Sequence, residues 1–281
     1  MRNKKIRVVS PSSPCDLKKI FKSKEYFESL GFDVELSENL GAKNKYLAGS
    51  DEERFKDIES ALKDKSVDII WSSRGGYGSV RLLEKMEKIA VSSPKTLLGY
   101  SDTTALFCWA FKKKGIKILY GPSFSELCDQ KNYDLKSLLN SIYEKPFQIK
   151  CKGPSKKVKE IKIVGGCLSI LASLMGTSYF PEVENRYLLL EDVNEPMYKL
   201  DRMLMQFKLG GILQKSEGVI LGSFKNVEGG DYKYLESLLR NLLEKGKPLL
   251  INSKIGHCSG KVTLPLNLCA KWDGEKLCFF S

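Results

Sequence analysis

Short apolar runs punctuate the first half of the chain, and most are followed by a longer stretch with helical spacing. Residues 5–9, 32–36, 67–71, 96–100 and 116–120 have the content of buried strands. Between them, helices are predicted over about 16–30, closed by Gly31, and from Ser50 to about Lys65, where Ser50 and Glu53 form a capping-box pattern. Residues 79–89 and the segment from Thr103 onward have the same spacing; in the latter, Ala105, Leu106, Trp109 and Ala110 fall on one side. Strands alternating with helices predict a parallel sheet covered on both faces. Ligands of such sheets gather at the carboxyl ends of the strands. Two stretches reach that edge: Arg74-Gly75-Gly76-Tyr77-Gly78 and Ser101-Asp102.

Residues 133–144 are predicted to be helical. Residues 145–160 are polar and basic, carry Pro146, Gly153 and Pro154, and have no clear period, as in a connection between domains. A second series follows: a strand over 161–164 ended by Gly165-Gly166, a helix over 168–175, and a strand over 187–190 running into Glu191-Asp192. Pro196 opens a helix to about Leu209, and 218–221 is a strand. A helix over 232–245 and a strand over 248–251 lead into Gly256-His257, and Asp273-Gly274 is a hairpin signal. The expected fold class is α/β with two domains. An N-terminal parallel-sheet layer domain spans 1–128, a connection spans 129–160, and a smaller mixed α/β domain spans 161–281.

The net charge of +12 invites a nucleic-acid partner. The lysines are nevertheless scattered over helix faces among glutamates, with no aromatic-interleaved basic stripe. The charge therefore reads as solvated surface with a modest pull on anionic small substrates. No apolar run approaches a membrane span, and none of signal-peptide length opens the chain. The eight cysteines lack paired metal spacing, and one histidine supplies a zinc site poorly. We expect a cytoplasmic protein with reduced thiols and with no metal or cofactor, no nucleic-acid partner and no membrane partner.

Ser101, where strand turns into helix, can serve as a nucleophile whose oxyanion is held by nearby N–H groups; a serine followed by aspartate at a helix start is equally the pattern of an N-cap. Gly75, Gly76 and Gly78 permit close backbone approach, which suits an oxyanion donor, a phosphate cradle or a tight turn. The stretch matches neither glycine-rich phosphate motif. A serine hydrolase also needs a base and an orienting acid. The base can only be His257, and Glu191 ends an apolar strand. Each also has an ordinary reading, His257 as a hydrogen-bonded loop residue and Glu191 as a capping or solvated acid.

Six motifs in order then carry a resemblance over nearly the whole chain: VVSPSSP at 8–14, RGGYGSVRLL at 74–83, LLGYSDTTAL at 97–106, GGCLSILASLMGT at 165–177, LLLEDVNEPMYKLDRML at 188–204 and GHCSGKVTLPLN at 256–267. The chain resembles the LD-carboxypeptidases, in the serine peptidase family that also contains the microcin C immunity hydrolases. The resemblance implies Ser101 as nucleophile, Glu191 as orienting acid and His257 as base. It also implies an oxyanion hole from the backbone of Asp102, Gly75 and Gly76, a triad assembled across a domain cleft, and often a homodimer. The implied substrate is a cell-wall tetrapeptide (a muropeptide) cut before its terminal D-alanine in peptidoglycan recycling. An exopeptidase must hold a free carboxylate, for which Arg74 and Arg202 are candidates by charge. The alternatives are a hydrolase of a peptide–nucleotide conjugate, as in microcin C self-immunity, and a non-catalytic two-lobe ligand-binding module. Cys167, Cys258 and Asn267 depart from the family's usual Asn, Gly and Gly. Asp192 and Glu195 are possible substitutes for Glu191.

Overall fold

The computed structural model describes residues 3–280. The alternation of the first half becomes strands β1 (Lys5–Val9), β2 (Asp33–Leu36), β3 (Ile69–Ser72), β4 (Lys95–Gly99) and β5 (Ile116–Tyr120). They pair in parallel in the order β2-β1-β3-β4-β5. The helices Leu17–Ser29 and Asp51–Lys63 start on an Asp16 cap and on the Ser50–Glu53 capping box. Side chains alternate across the sheet. Ile6, Val8, Trp71, Leu98 and Leu119 pack with Phe27 and Phe124 on one face. Val9, Ile70, Leu97, Ile118 and Tyr120 point to the other.

The second sheet contains β6 (Phe147–Lys150), β7 (Val158–Cys167), β8 (Tyr187–Val193), β9 (Gly218–Lys225) and β10 (Leu249–Ile251). After β11 (Leu264–Leu266) come β12 (Cys269–Trp272) and β13 (Lys276–Phe279), giving the order β10-β9-β8-β7-β12-β13-β6. The expected hairpin at Asp273-Gly274 joins β12 to β13, with the Asp273 carboxylate accepting the N–H groups of Glu275 and Lys276.

Four features differ from the sequence reading. Residues 147–150 are an edge strand rather than plain connection, and β7 runs through Gly165 and Gly166 instead of stopping before them. β11 leaves the second half altogether and pairs antiparallel with β5, closing the edge of the first sheet. The helix Thr104–Ala110 is buried on every side, not on one stripe. The second sheet takes its other face: Thr104 Oγ1 accepts the Cys167 N–H at 3.0 Å, and a Cβ on Gly166 would collide with Thr104 and Tyr120. One apolar cluster therefore runs from Val9 and Leu97 through this helix to Leu188, Ile220 and Trp272. That continuous core ties the halves together.

Candidate active site

β4 delivers Ser101 to the carboxyl edge of the first sheet. Tyr100 is extended (φ −160°, ψ −172°), and Ser101 turns sharply to φ +60°. A non-glycine residue occupies that left-handed region at a cost of roughly 1–2 kcal/mol. The turn is not a helix cap, since neither the 3-10 turn Ser101–Thr103 nor the helix behind it has a side-chain cap. The Asp102 carboxylate, fully buried, instead accepts Ser12 Oγ–H at 2.6 Å and the Ser79 N–H at 2.8 Å. Burial pushes its carboxyl pKa up, against the pull of those hydrogen bonds. Asp102 thus joins the Ser101 turn to the loops that follow β1 and β3.

Those loops are braced from behind by Arg54. Its buried guanidinium donates to the carbonyls of Pro11 and Gly78 and pairs with Asp51. The brace sets Gly75 directly against the serine: a Cβ there would stand 2.9 Å from Ser101 Cβ and 3.0 Å from its Oγ. Only glycine lets the backbone come so near. A Cβ on Gly76, at φ +115°, would collide with Ser13. Among the described residues, the N–H groups of Asp102, Gly75 and Gly76 have no backbone acceptor outside the turn.

Glu191 and His257 meet as the sequence reading expected. The Glu191 side chain is fully buried near the end of β8, with Gly222 alongside, where a Cβ would crowd the Glu191 Cβ at 2.9 Å. Its Oε2 lies 2.7 Å from His257 Nδ1 and accepts the His257 N–H at 2.9 Å. Gly256, at φ +99°, makes this possible, because a Cβ would fall on the Glu191 carboxylate. Burial, the largest single influence, lowers the His257 pKa, but the carboxylates of Glu191, Asp192 and Glu126 together outweigh it, and the net shift is upward. Asp192 turns away to the Ser169 and Val193 N–H groups, and burial followed by repulsion from Glu191 raises it to about 6. Among the described residues, Glu195 pairs only with Lys199, at 3.7 Å. Of the three acids, Glu191 alone engages the imidazole.

The structure brings Ser101 close to this pair through a residue the sequence reading passed over. Tyr120 Oη donates to Glu191 Oε1 at 2.5 Å and accepts the Ser101 N–H at 3.4 Å. No hydrogen bond joins Ser101 Oγ to His257 among the described residues; such catalytic bonds commonly tighten only when substrate is bound. Tyr100 packs its ring 4.8 Å from that of His257 and donates to Glu126, which pairs with the buried Lys261 at 2.6 Å. The available signal was position: Tyr100 and Tyr120 both close strands at the edge that bears Ser101.

Arg74 is exposed beside Gly75, with Nη1 donating to the Pro14 carbonyl at 3.0 Å. Arg202 lies on the surface of the helix Met197–Leu209, 5.4 Å from the Tyr198 ring centroid. Cys167 is buried with its sulfur 3.5 Å from Asp192 Oδ1, and Cys258 is half-buried beside the Gly256 carbonyl. Asn267 stands at φ +52°, a conformation asparagine tolerates better than most residues, and donates to the Ile116 carbonyl. No helix among the described residues is long and apolar enough to cross a membrane.

A protein named probable murein peptide carboxypeptidase in Bacillus subtilis is 31% identical over 276 residues, covering 93% of this chain and 86% of that one. The crystal structure of muramoyltetrapeptide carboxypeptidase from Oxalobacter formigenes superposes with a TM-score of 0.85 at 27% identity, covering 98% of each chain. The microcin C7 self-immunity protein shares the fold, with a TM-score of 0.83 at 22% identity over 99% of this chain and 96% of that one. Residues 6–121 match the LD-carboxypeptidase N-terminal domain and residues 160–271 the C-terminal domain, so the chain belongs to the LD-carboxypeptidase family.

Proposed function

We propose that this protein is a serine LD-carboxypeptidase that removes the terminal D-alanine from a murein tetrapeptide, with Ser101, His257 and Glu191 as its triad. The observation that carries the reading is the Glu191–His257 pair, its carboxylate buried, joined by Tyr120 to a strained serine turn. His257 takes the Ser101 proton as Oγ attacks the carbonyl carbon of the last peptide bond. The oxyanion is received by the Asp102 N–H and the Gly75-Gly76 backbone, where one such donor is worth roughly 3–4 kcal/mol. His257 returns the proton to the leaving D-alanine nitrogen, and water then hydrolyses the acyl-enzyme by the same path reversed. Glu191 fixes the tautomer that leaves Nε2 free to act.

Arg74, beside the oxyanion turn, is the better placed of the two arginines for the substrate's free carboxylate. Eight unpaired cysteines suit a cytoplasmic setting. The division into 1–128, 129–160 and 161–281 serves as a functional division, since it separates the nucleophile from the acid and base. Homodimerisation rests on the family resemblance. The test is D-alanine release from a purified LD-linked tetrapeptide. Ser101→Ala and His257→Ala should each lose nearly all turnover while keeping the wild-type circular dichroism spectrum. Full activity in His257→Ala would sink the triad. No release by the wild type, together with cleavage of a peptide–nucleotide conjugate, would replace the substrate.

A further inference from the structure

Building on the assignment of Ser101, His257 and Glu191, we propose that Tyr120 is a positioning residue: one hydroxyl sets both the turn of Ser101 and the charge that Glu191 presents to His257. Tyr120 ends β5 in register with Gly99 of β4 and is 1% exposed. Its side chain faces the second sheet, and its ring packs between Phe107 at 5.9 Å and Tyr100 at 6.4 Å. Gly166 leaves the space for it, since a Cβ there would stand 2.8 Å from the Tyr120 ring. The hydroxyl thereby passes from the first sheet into the second without solvent contact.

The hydrogen-bond partition on Glu191 shows what that hydroxyl does. Oε2 takes both His257 contacts, and Oε1 takes Tyr120. Burial holds the phenol well above its ordinary pKa, so it stays a donor. A donor on Oε1 draws negative charge from the carboxylate and so moderates its pull on the imidazole. Its removal concentrates charge on Oε2 and favours imidazolium, the form that cannot act as base. On the other side, the Ser101 N–H is engaged by the same oxygen, which leaves Asp102, Gly75 and Gly76 to receive an oxyanion. The other groups acting on His257 are Asp192, Glu126 and the Tyr100 ring, over which Lys261 sits, and those coupled to Glu191 are Asp192, Cys167, Tyr100 and Cys258. Tyr120→Phe changes none of them and keeps the ring.

His257 is the only histidine, so a single imidazole resonance reports its titration by NMR. In Tyr120→Phe its pKa should rise by about half a unit or more. The rate of Ser101 modification by a fluorophosphonate should fall about tenfold to a hundredfold, with its acid limb moved upward in step. D-alanine release should lose kcat by the same factor at near-constant KM. A folded Tyr120→Phe protein with an unchanged or lowered His257 pKa overturns the proposal, as does an unchanged modification rate. If the variant does not fold, difluorotyrosine incorporated at Tyr120 keeps the ring and strengthens the donor. The His257 pKa should then fall, and a value equal to wild type overturns the proposal. Titration and modification do not depend on the substrate. A wild type that labels at Ser101 but releases no D-alanine therefore refutes the substrate assignment and leaves this test standing.

Discussion

At the scale of single residues, the site depends on one serine held in a conformation it would not choose. At φ +60° glycine carries no steric penalty, whereas alanine keeps the strain and loses the hydroxyl. Ser101→Gly should therefore be more stable than Ser101→Ala by up to about 1 kcal/mol in urea titration, with both inactive. Equal stabilities would show that the turn is not strained. The positions of Ser101, Glu191 and His257 were legible as candidates because each comes after an apolar run in a series of parallel strands, Ser101 in the first sheet and the other two in the second. Tyr120 was not, because a tyrosine at a strand end reads as an ordinary core aromatic. Its partner lies 71 residues away on another sheet, and no local pattern encodes that meeting.

Among the elements, the helix Thr104–Ala110 is the keystone, with one side on the first sheet and the other on the second. Phe107 is fully buried within it and packs on Tyr120. Phe107→Ala should cost about 3–5 kcal/mol by equilibrium unfolding and should also slow turnover through Tyr120. A loss of stability with kcat intact at low temperature would separate the helix from the site. Element positions in the first half were legible from periodicity and caps, as with Asp16 and Ser50. The second surface of this helix was hidden because Phe107 and Cys108 lie off its amphipathic stripe until a second sheet arrives. β6 was hidden as well: it is a half-exposed edge strand of four residues with lysine at its end. β11 was hidden because three residues around a proline have no period.

Across the whole molecule, the two sheets share one core, and this predicts a single cooperative unfolding event. Trp71 and Trp109 report on the first half and Trp272 on the second. Tryptophan fluorescence and far-ultraviolet circular dichroism should therefore give coincident denaturation curves. Two separated transitions would mean that the halves fold as independent bodies. The presence of a second sheet was legible from the change of pattern beyond residue 160; the interlock was not, since it depends on which sheet each late strand joins. That interlock has a consequence for the chain as it is made. The sheet that presents Ser101 has an open flank at β5 until Leu264, Pro265 and Leu266 have left the ribosome, long after β5 itself. Until then the nascent chain must carry an unpaired, apolar strand edge, the kind of surface that recruits other strands. The same late segment follows His257 within ten residues, so that edge is sealed only once the proposed base has been made. A fragment ending before His257 would have the serine turn but neither a closed sheet nor the proposed base, and truncated products of this protein should be recognised as aggregation-prone rather than as weakly active.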